Sequence, residues 1–231
     1  MKPNADILVV SPHPDDAEIC AGGTLAAWAA QGKCVVLAAC TSGEKGTSNP
    51  DLSSEQLAET REREQRASAE VLGLREVVFM RFPDQGLEDT PAFRKEIVRL
   101  IRMYRPRVLV TCDPYRRYIT HRDHRIVGRV CLDAVFPYAR DHLAYPDFLD
   151  EGLLPHKVKE MFFWFSDDVN YRSDISATFA TKLKALKCHE SQICELGIPD
   201  LAAWLTDMGK EMSAGESFDL AEAFHRIEEP P

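Results

Sequence analysis

Five short runs of apolar, mostly β-branched residues mark the chain: Ile7–Ser11, Cys34–Thr41, Glu76–Arg81, Val108–Cys112 and Val158–Phe165. Apolar positions at helical spacing fill Gly22–Gln31, Ser53–Leu72, Pro91–Tyr104, His121–Val135 and Ser176–Cys188. Short strands alternating with helices predict βαβ units and a mainly parallel sheet with helices on both faces. The fold class is therefore α/β, a Rossmann-like three-layer fold with its site at the carboxyl ends of the strands. Helix ends carry their expected punctuation. Gly32 and Gly73 sit where C-terminal glycines belong, and Thr90 stands as a cap before Pro91. Residues 136–155 are irregular and rich in Pro, Tyr, Asp and His, which predicts a long loop. The tail of residues 195–231 is acidic and weakly patterned, with a last short helix expected over Glu216–Glu228. No internal repeat interrupts this order, so residues 1–231 read as one domain.

The first strand runs into Pro12-His13-Pro14-Asp15-Asp16-Ala17-Glu18 and then Gly22-Gly23-Thr24. One imidazole and three carboxylates thus fall within six residues, in a turn between strand and helix. His13 and Asp16 offer a nitrogen and an oxygen suited to Zn²⁺, and Asp15 between them is free to act as a base. Helix capping would account for one of the two aspartates. It would not account for all four ionisable groups together. A second cluster follows the fourth strand, where Thr120 can cap a helix opening with His121-Arg122-Asp123-His124. His121 and His124 lie three residues apart on one face of that turn, and Asp123 can orient an imidazole by accepting its N–H. Each cluster alone fits a polar surface turn. Two such clusters beyond strands of one parallel sheet point to a site. Four ligands (His13, Asp16, His121, His124) would close it, whereas three would leave a position for catalysis.

Charge and cysteine content narrow the partners. The net charge is −9 over 231 residues, which argues against nucleic acid or an anionic membrane. No apolar run reaches the roughly 20 residues that cross a bilayer, and the first six residues carry no signal-peptide pattern. Seven cysteines, an odd number without CxxC spacing, fit a reduced, cytoplasmic protein. A dinucleotide-binding module is disfavoured: no G-x-G-x-x-G follows the first strand, and carboxylates stand where phosphate would bind. A metal store would need neither Asp15 nor His121.

The first cluster, with Thr41-Ser42-Gly43-Glu44-Lys45-Gly46-Thr47, Arg61 and Glu64, Pro83-Asp84, and His121 to Gly128, resembles the signatures of the LmbE-like (PIG-L) de-N-acetylase family in order. Lys182 to Gln192 and Ala221 to Phe224 resemble its bacillithiol-pathway branch. Arg122 departs from the pattern, standing where the family has proline.

The resemblance implies a hydrolase that removes the acetyl group from an N-acetylglucosamine-type compound. A non-sugar N-acyl amide or ester is the alternative. It implies His13, Asp16 and His124 as ligands of Zn²⁺, with Fe²⁺ or Co²⁺ compatible with the same donors. Asp15 would be the base, a protonated His121 the oxyanion partner, and Asp123 its support. Arg61 and Asp84 match positions that meet sugar or aglycone. Arg140, in the Pro/Tyr loop, could pair with a carboxylate or carbonyl. His189 belongs either in the pocket or at a helix end, Lys45 and Thr47 at the entrance, and Glu18 under the loop as support. The partner expected is a small N-acetylated molecule, and the assembly a homo-oligomer, trimer or hexamer.

Overall fold

The computed structural model describes residues 4–118 and 120–230. The expectations for Met1 to Pro3 and for Ile119 fall outside them. Strand β1 (Ile7–Ser11) is wholly buried and pairs in parallel with β2 (Val35–Thr41) on one side and β4 (Val108–Cys112) on the other. Strand β3 (Glu76–Phe82) extends the parallel sheet beyond β2, and β5 (Glu160–Trp164) extends it beyond β4. Two antiparallel strands complete it, β6 (Tyr171–Asp174) and β7 (Ala221–Glu228), in the order β3-β2-β1-β4-β5-β7-β6. Strands buried on both faces must be apolar throughout, and Leu8, Val9, Val10, Leu37, Ala38, Leu109 and Val110 are fully enclosed.

Helices α1 (Asp16–Ala30) and α2 (Ser54–Leu72) pack together with α6 (Phe179–Leu186). A second group is α3 (Pro91–Tyr104), α4 (Arg122–Asp133) and the π-helical turn Ala134–Ala139. Short α5 (Asp147–Asp150), α7 (Glu190–Leu196) and α8 (Leu201–Met212) complete the described helices. Ser53 and Gln56 form a reciprocal capping box on α2, and the Thr90 side chain caps α3 ahead of Pro91.

Four expectations need correction. Helix α1 opens at Asp16, six residues before Gly22, because Asp15 turns the chain and the acidic Asp16 and Glu18 suit a helix N-terminus. His121, not Thr120, caps α4 through its own side chain. Residues 136–155 are not a plain loop. Buried Arg102 gathers the carbonyls of Tyr138, Ala139, Asp141 and Ala144, and Phe148 packs into the core. The tail is not weakly structured either. Asp200 caps α8, and residues 221–228 form strand β7 rather than a helix. The physical reason is that β5, with apolar Phe162 and Phe163, would otherwise present an unpaired edge; β7 pairs with it over five residues.

Candidate active site

Strand β1 lies between β2 and β4, so the chain leaves β1 toward one side of the sheet and returns at β4 on the other. A crevice opens at such a reversal, beyond the carboxyl ends of the strands. The loops after β1 and β4 carry the two clusters, and the fold brings them together there. Helix α4 can close on β4 only because residue 128 is glycine. A Cβ at Gly128 would lie 2.3 Å from the Cys112 carbonyl oxygen. The Cys112 thiol in turn donates to the His124 carbonyl at 2.9 Å, which pins the first turn of α4 over the strand end.

The Asp16 carboxylate is the hub. Its Oδ2 lies 3.1 Å from His13 Nδ1 and 3.2 Å from His124 Nε2, and accepts the His13 backbone N–H at 3.0 Å. The other ring nitrogen of His13 faces Asp84 Oδ1 at 3.2 Å and Asp123 Oδ2 at 3.4 Å. The three histidine rings cluster, with His121 edge-on to His13 at 4.8 Å between centroids. Charges follow this geometry. Burial pulls the His13 pKa down, but hydrogen bonds to Asp123, Asp16 and Asp84 outweigh it and hold the ring well above its ordinary value. Burial would raise Asp16, and the facing His124 and His13 instead hold it well below the carboxylate range. Asp84 is likewise pushed up by burial but brought down to about 2, chiefly by His13.

Asp15 is held differently. It occupies a left-handed conformation, φ 91° and ψ −29°, which costs a non-glycine residue about 1–3 kcal/mol. One face of α2 braces it. Arg61 donates to the Pro14 carbonyl at 2.6 Å and approaches Asp15 Oδ1 at 3.3 Å, while Gln65 Oε1 accepts the Asp15 backbone N–H at 3.2 Å. Burial raises the Asp15 carboxyl to about 6, against the opposing pull of Arg61.

The remaining expected residues are placed as follows. Asp123 does not meet His121 through its carboxylate; that carboxylate takes His13 and the Gln85 backbone N–H, and its own N–H donates to His121 Nδ1 at 3.2 Å. Asp84 receives the Lys45 backbone N–H at 2.9 Å, and its own N–H donates to Glu44 at 2.8 Å. Thr47 bonds Glu195 on α7. Arg61 also donates to the Gly43 carbonyl, so it ties the loops after β1 and β2 together. Arg140 pairs with Asp141 and lies 4.3 Å over the Phe136 ring, both on its own segment. His189 is fully buried, 3.6 Å from Glu18. Arg122, in the place of proline, bonds the Leu87 carbonyl.

Two residues, Gln65 and Phe165, escaped the sequence reading, and a third, Glu44, was given no role of its own. Gln65 lies four residues from Arg61 on the same helix, a spacing that was visible. Glu44 was legible only as part of its motif. Phe165, stacked at 6.5 Å and 14° on His124, follows β5 and has no local signal.

The donor set suits a divalent cation. Ligands about 2.0–2.2 Å from a tetrahedral ion sit roughly 3.3 Å from one another; Asp16 keeps that spacing with each imidazole, although the donor groups that lie mutually close do not include it. His13, His121 and His124 also bring ring nitrogens within 4.8 Å of one another, as do His13, Asp84 and Asp123 their donor atoms.

Comparison with known proteins shows the family and the fold. Residues 8–135 match the family model for PIG-L, GlcNAc-PI de-N-acetylase. A diacetylchitobiose deacetylase of Thermococcus kodakarensis is 36% identical over 189 residues, covering 82% of this chain and 70% of that protein. A probable N-acetyl-alpha-D-glucosaminyl L-malate deacetylase 2 of Bacillus anthracis is 26% identical over 220 residues, covering 89% and 93%. The solved N,N′-diacetylchitobiose deacetylase of Pyrococcus horikoshii superposes with a TM-score of 0.89 at 27% identity, over 97% of this chain and 84% of that one. With the matched segment holding both clusters and more than half of the sequence, the chain belongs to the PIG-L de-N-acetylase family.

Proposed function

We propose that the chain is a metal-dependent hydrolase that removes the N-acetyl group from an N-acetylglucosamine-type substrate, giving acetate and a free amine. The observation that carries this reading is the convergence of His13 and His124 on Asp16, with a braced carboxyl beside them whose pKa is near 6.

His13, Asp16 and His124 would hold the ion, zinc by donor type, with Asp123 and Asp84 fixing the far nitrogen of His13. When bound, the metal supplies Lewis acidity to the water and the amide carbonyl. Asp15 takes the proton of the attacking water, and a pKa near working pH suits it to that task. The His121 pKa is lowered by desolvation and by the neighbouring His13, so the ring is a neutral donor rather than an imidazolium. Its Nδ1 is occupied as the acceptor of the Asp123 N–H, which leaves the other nitrogen to donate to the developing oxyanion. Asp15, now protonated, returns the proton to the departing amine. Asp84, Glu44 and Lys45 form a polar wall on the β2–β3 side, fitted to sugar hydroxyls. Arg61 enters as the brace of Asp15.

Assembly and location complete the proposal. Tyr115 and Tyr118, on the loop that leads to His121, are 74% and 92% exposed, surfaces suited to a homo-oligomer. All seven cysteines are free, which suits a reducing cytoplasm. No helix of the described residues is long and apolar enough to cross a membrane.

The test is amine release from N-acetylglucosamine and its glycosides, using metal-free, zinc-restored and Asp15→Ala protein with bound metal counted in each. Zinc should restore the rate, and Asp15→Ala should keep the metal while losing about 10²–10⁴ in kcat. Metal binding without cleavage of any N-acetyl sugar would transfer the site to non-sugar amides. Failure to bind metal would end the hydrolase reading.

A further inference from the structure

Beyond the metal-ligand cluster on the β5 side lies a second concavity. It is a cavity of about 90 Å³ between the first turns of α1, the loop after β5, the start of β7 and the length of α8. Ile19, Cys20, Leu205, Met208 and Met212 give it an apolar lining. Two charged side chains sit at its base, and neither is free to bind a ligand. Lys182 Nζ donates to the Ile19 carbonyl at 2.7 Å and to Glu222 at 2.6 Å. Glu222 also accepts both backbone N–H groups of Gly23 and Thr24 and the Thr24 hydroxyl. The pair is buried and bound to its neighbours, so apart from Ser166 the cavity offers an occupant mainly apolar contact.

The cavity adjoins the reaction site through two elements. Phe165 belongs to its lining and at the same time stacks on His124. Ile19 and Cys20 stand one turn after Asp16 on α1. The carboxyl edge of the sheet is thus divided by chemistry. The β2–β3 side presents Glu44 and Lys45, held in place by buried Asp84, while the β5–β7 side presents this apolar hollow. An amide at the centre has two arms, a polar one on nitrogen and an acyl one on carbon. The polar arm matches the polar wall, which leaves the acyl arm directed at the hollow.

We propose that the cavity receives the tail of the substrate's acyl group, so that the chain removes N-acyl groups longer than acetyl from the same kind of amine. The inference rests on the deacylase reading and extends its substrate class. The chemistry is the same hydrolysis: the amide C–N bond breaks, the water oxygen joins the acyl carbon, one water proton ends on the amine, and a short fatty acid leaves. The two methionines on α8 are flexible enough to adapt to different tails.

The experiment is a series of N-acetyl-, N-butyryl-, N-hexanoyl- and N-octanoylglucosamine, scored by amine release. Each methylene that enters the cavity should raise kcat/KM about fourfold until the cavity is full. Ala223, part-buried on β7, lines the hollow. Ala223→Phe should cut the butyryl and hexanoyl rates about tenfold or more and leave the acetyl rate within about twofold. Met208→Ala, which enlarges the hollow, should move the optimum to a longer chain and keeps the test alive if Ala223→Phe fails to fold. If butyryl is cut more than about tenfold worse than acetyl and Met208→Ala does not recover it, the acyl assignment is overturned while the deacetylase reading stands. If no acyl compound is cut, acetyl included, both fall together.

Discussion

Adding one methyl group to Gly128 should disable the site while leaving the fold standing. A Cβ there would sit 2.3 Å from the Cys112 carbonyl oxygen and 2.8 Å from Pro114 Cδ, where ordinary contact begins at 3.4 Å. The obstacle is backbone of the sheet and a proline ring, so the helix must yield, by about 1 Å, the shortfall between those distances. Two stability effects oppose each other. Overpacking costs about 1–3 kcal/mol, and replacing glycine inside a helix returns about 1 kcal/mol. The net loss of stability should therefore stay near 0–2 kcal/mol. Catalysis has no such compensation. His124 lies one turn earlier on the same face of α4, and its carbonyl is tied to the Cys112 thiol. A shift of this size away from the productive geometry costs about 10²-fold, equivalent to about 2.7 kcal/mol of barrier. Gly128→Ala should be assayed by urea unfolding, zinc competition against a chelator, and kcat/KM on an N-acetyl sugar. Activity within about twofold of the parent would refute the claim that α4 is seated by this glycine.

Gln65→Leu removes both the acceptor of the Asp15 N–H and a donor to buried Glu18, and each buried polar group left alone costs about 1–3 kcal/mol. Urea unfolding should show a loss of about 2–5 kcal/mol, and a loss under about 1 kcal/mol would show that the bridge contributes little. Burial opposes both charges of the Glu18–His189 pair, yet His189, Ser68 and Gln65 hold Glu18 below its ordinary 4.5, and Glu18 holds His189 above its ordinary 6.5. The carboxylate's share of stability is full above 4.5 and lost as pH falls below it, and the imidazolium's share is full below 6.5 and lost as pH rises past it; the melting-temperature gap between parent and His189→Phe should therefore peak between those values, and a gap flat with pH would sink the assignment.

What the sequence revealed and what it hid divide along physical lines. Parallel strands buried on both faces leave continuous apolar runs, so β1, β2 and β4 were legible almost to the residue, and with them the loops that carry both clusters. Chemistry-bearing residues sat beside those strands, so the clusters at His13 to Glu18 and His121 to His124 could be linked without knowing the fold, while the choice of His13, Asp16 and His124 as ligands came from the family resemblance alone. Pairings made across long sequence distances were hidden. Strand β7 is acidic and spaced like a helix, and it is a strand because β5, more than fifty residues earlier, needed a partner. The order in residues 136–155 comes from Arg102 on α3, whose guanidinium binds carbonyls some forty residues away. Local pattern carries no trace of either. Arg140 and His189 show the same limit from the other direction, since a polar residue in a suggestive segment discloses its type but not its partner. Arg140 is paired on its own segment, and His189 lies sealed against Glu18.

Arg61 shows how one side chain can brace a site's loops from behind. Its guanidinium spans two loops, donating to the Pro14 and Gly43 carbonyls, and it can do so because Gly43 has no side chain: a Cβ there would lie 2.2 Å from the Arg61 Nη1. Gln65, four residues on, secures the Asp15 N–H, and Ser68, a turn further, donates to Glu18. One face of α2 thus opposes the strain stored at Asp15, whose left-handed backbone would relax if any of these ties were cut. The strain has a geometric consequence. It places Asp15 next to Asp16 yet gives the two carboxylates different neighbours, one braced by arginine, the other between imidazoles. Their pKa values separate in opposite directions from the same starting point. Two adjacent aspartates acquire opposite acidities because the helix behind them holds Asp15 in a conformation it would not adopt alone.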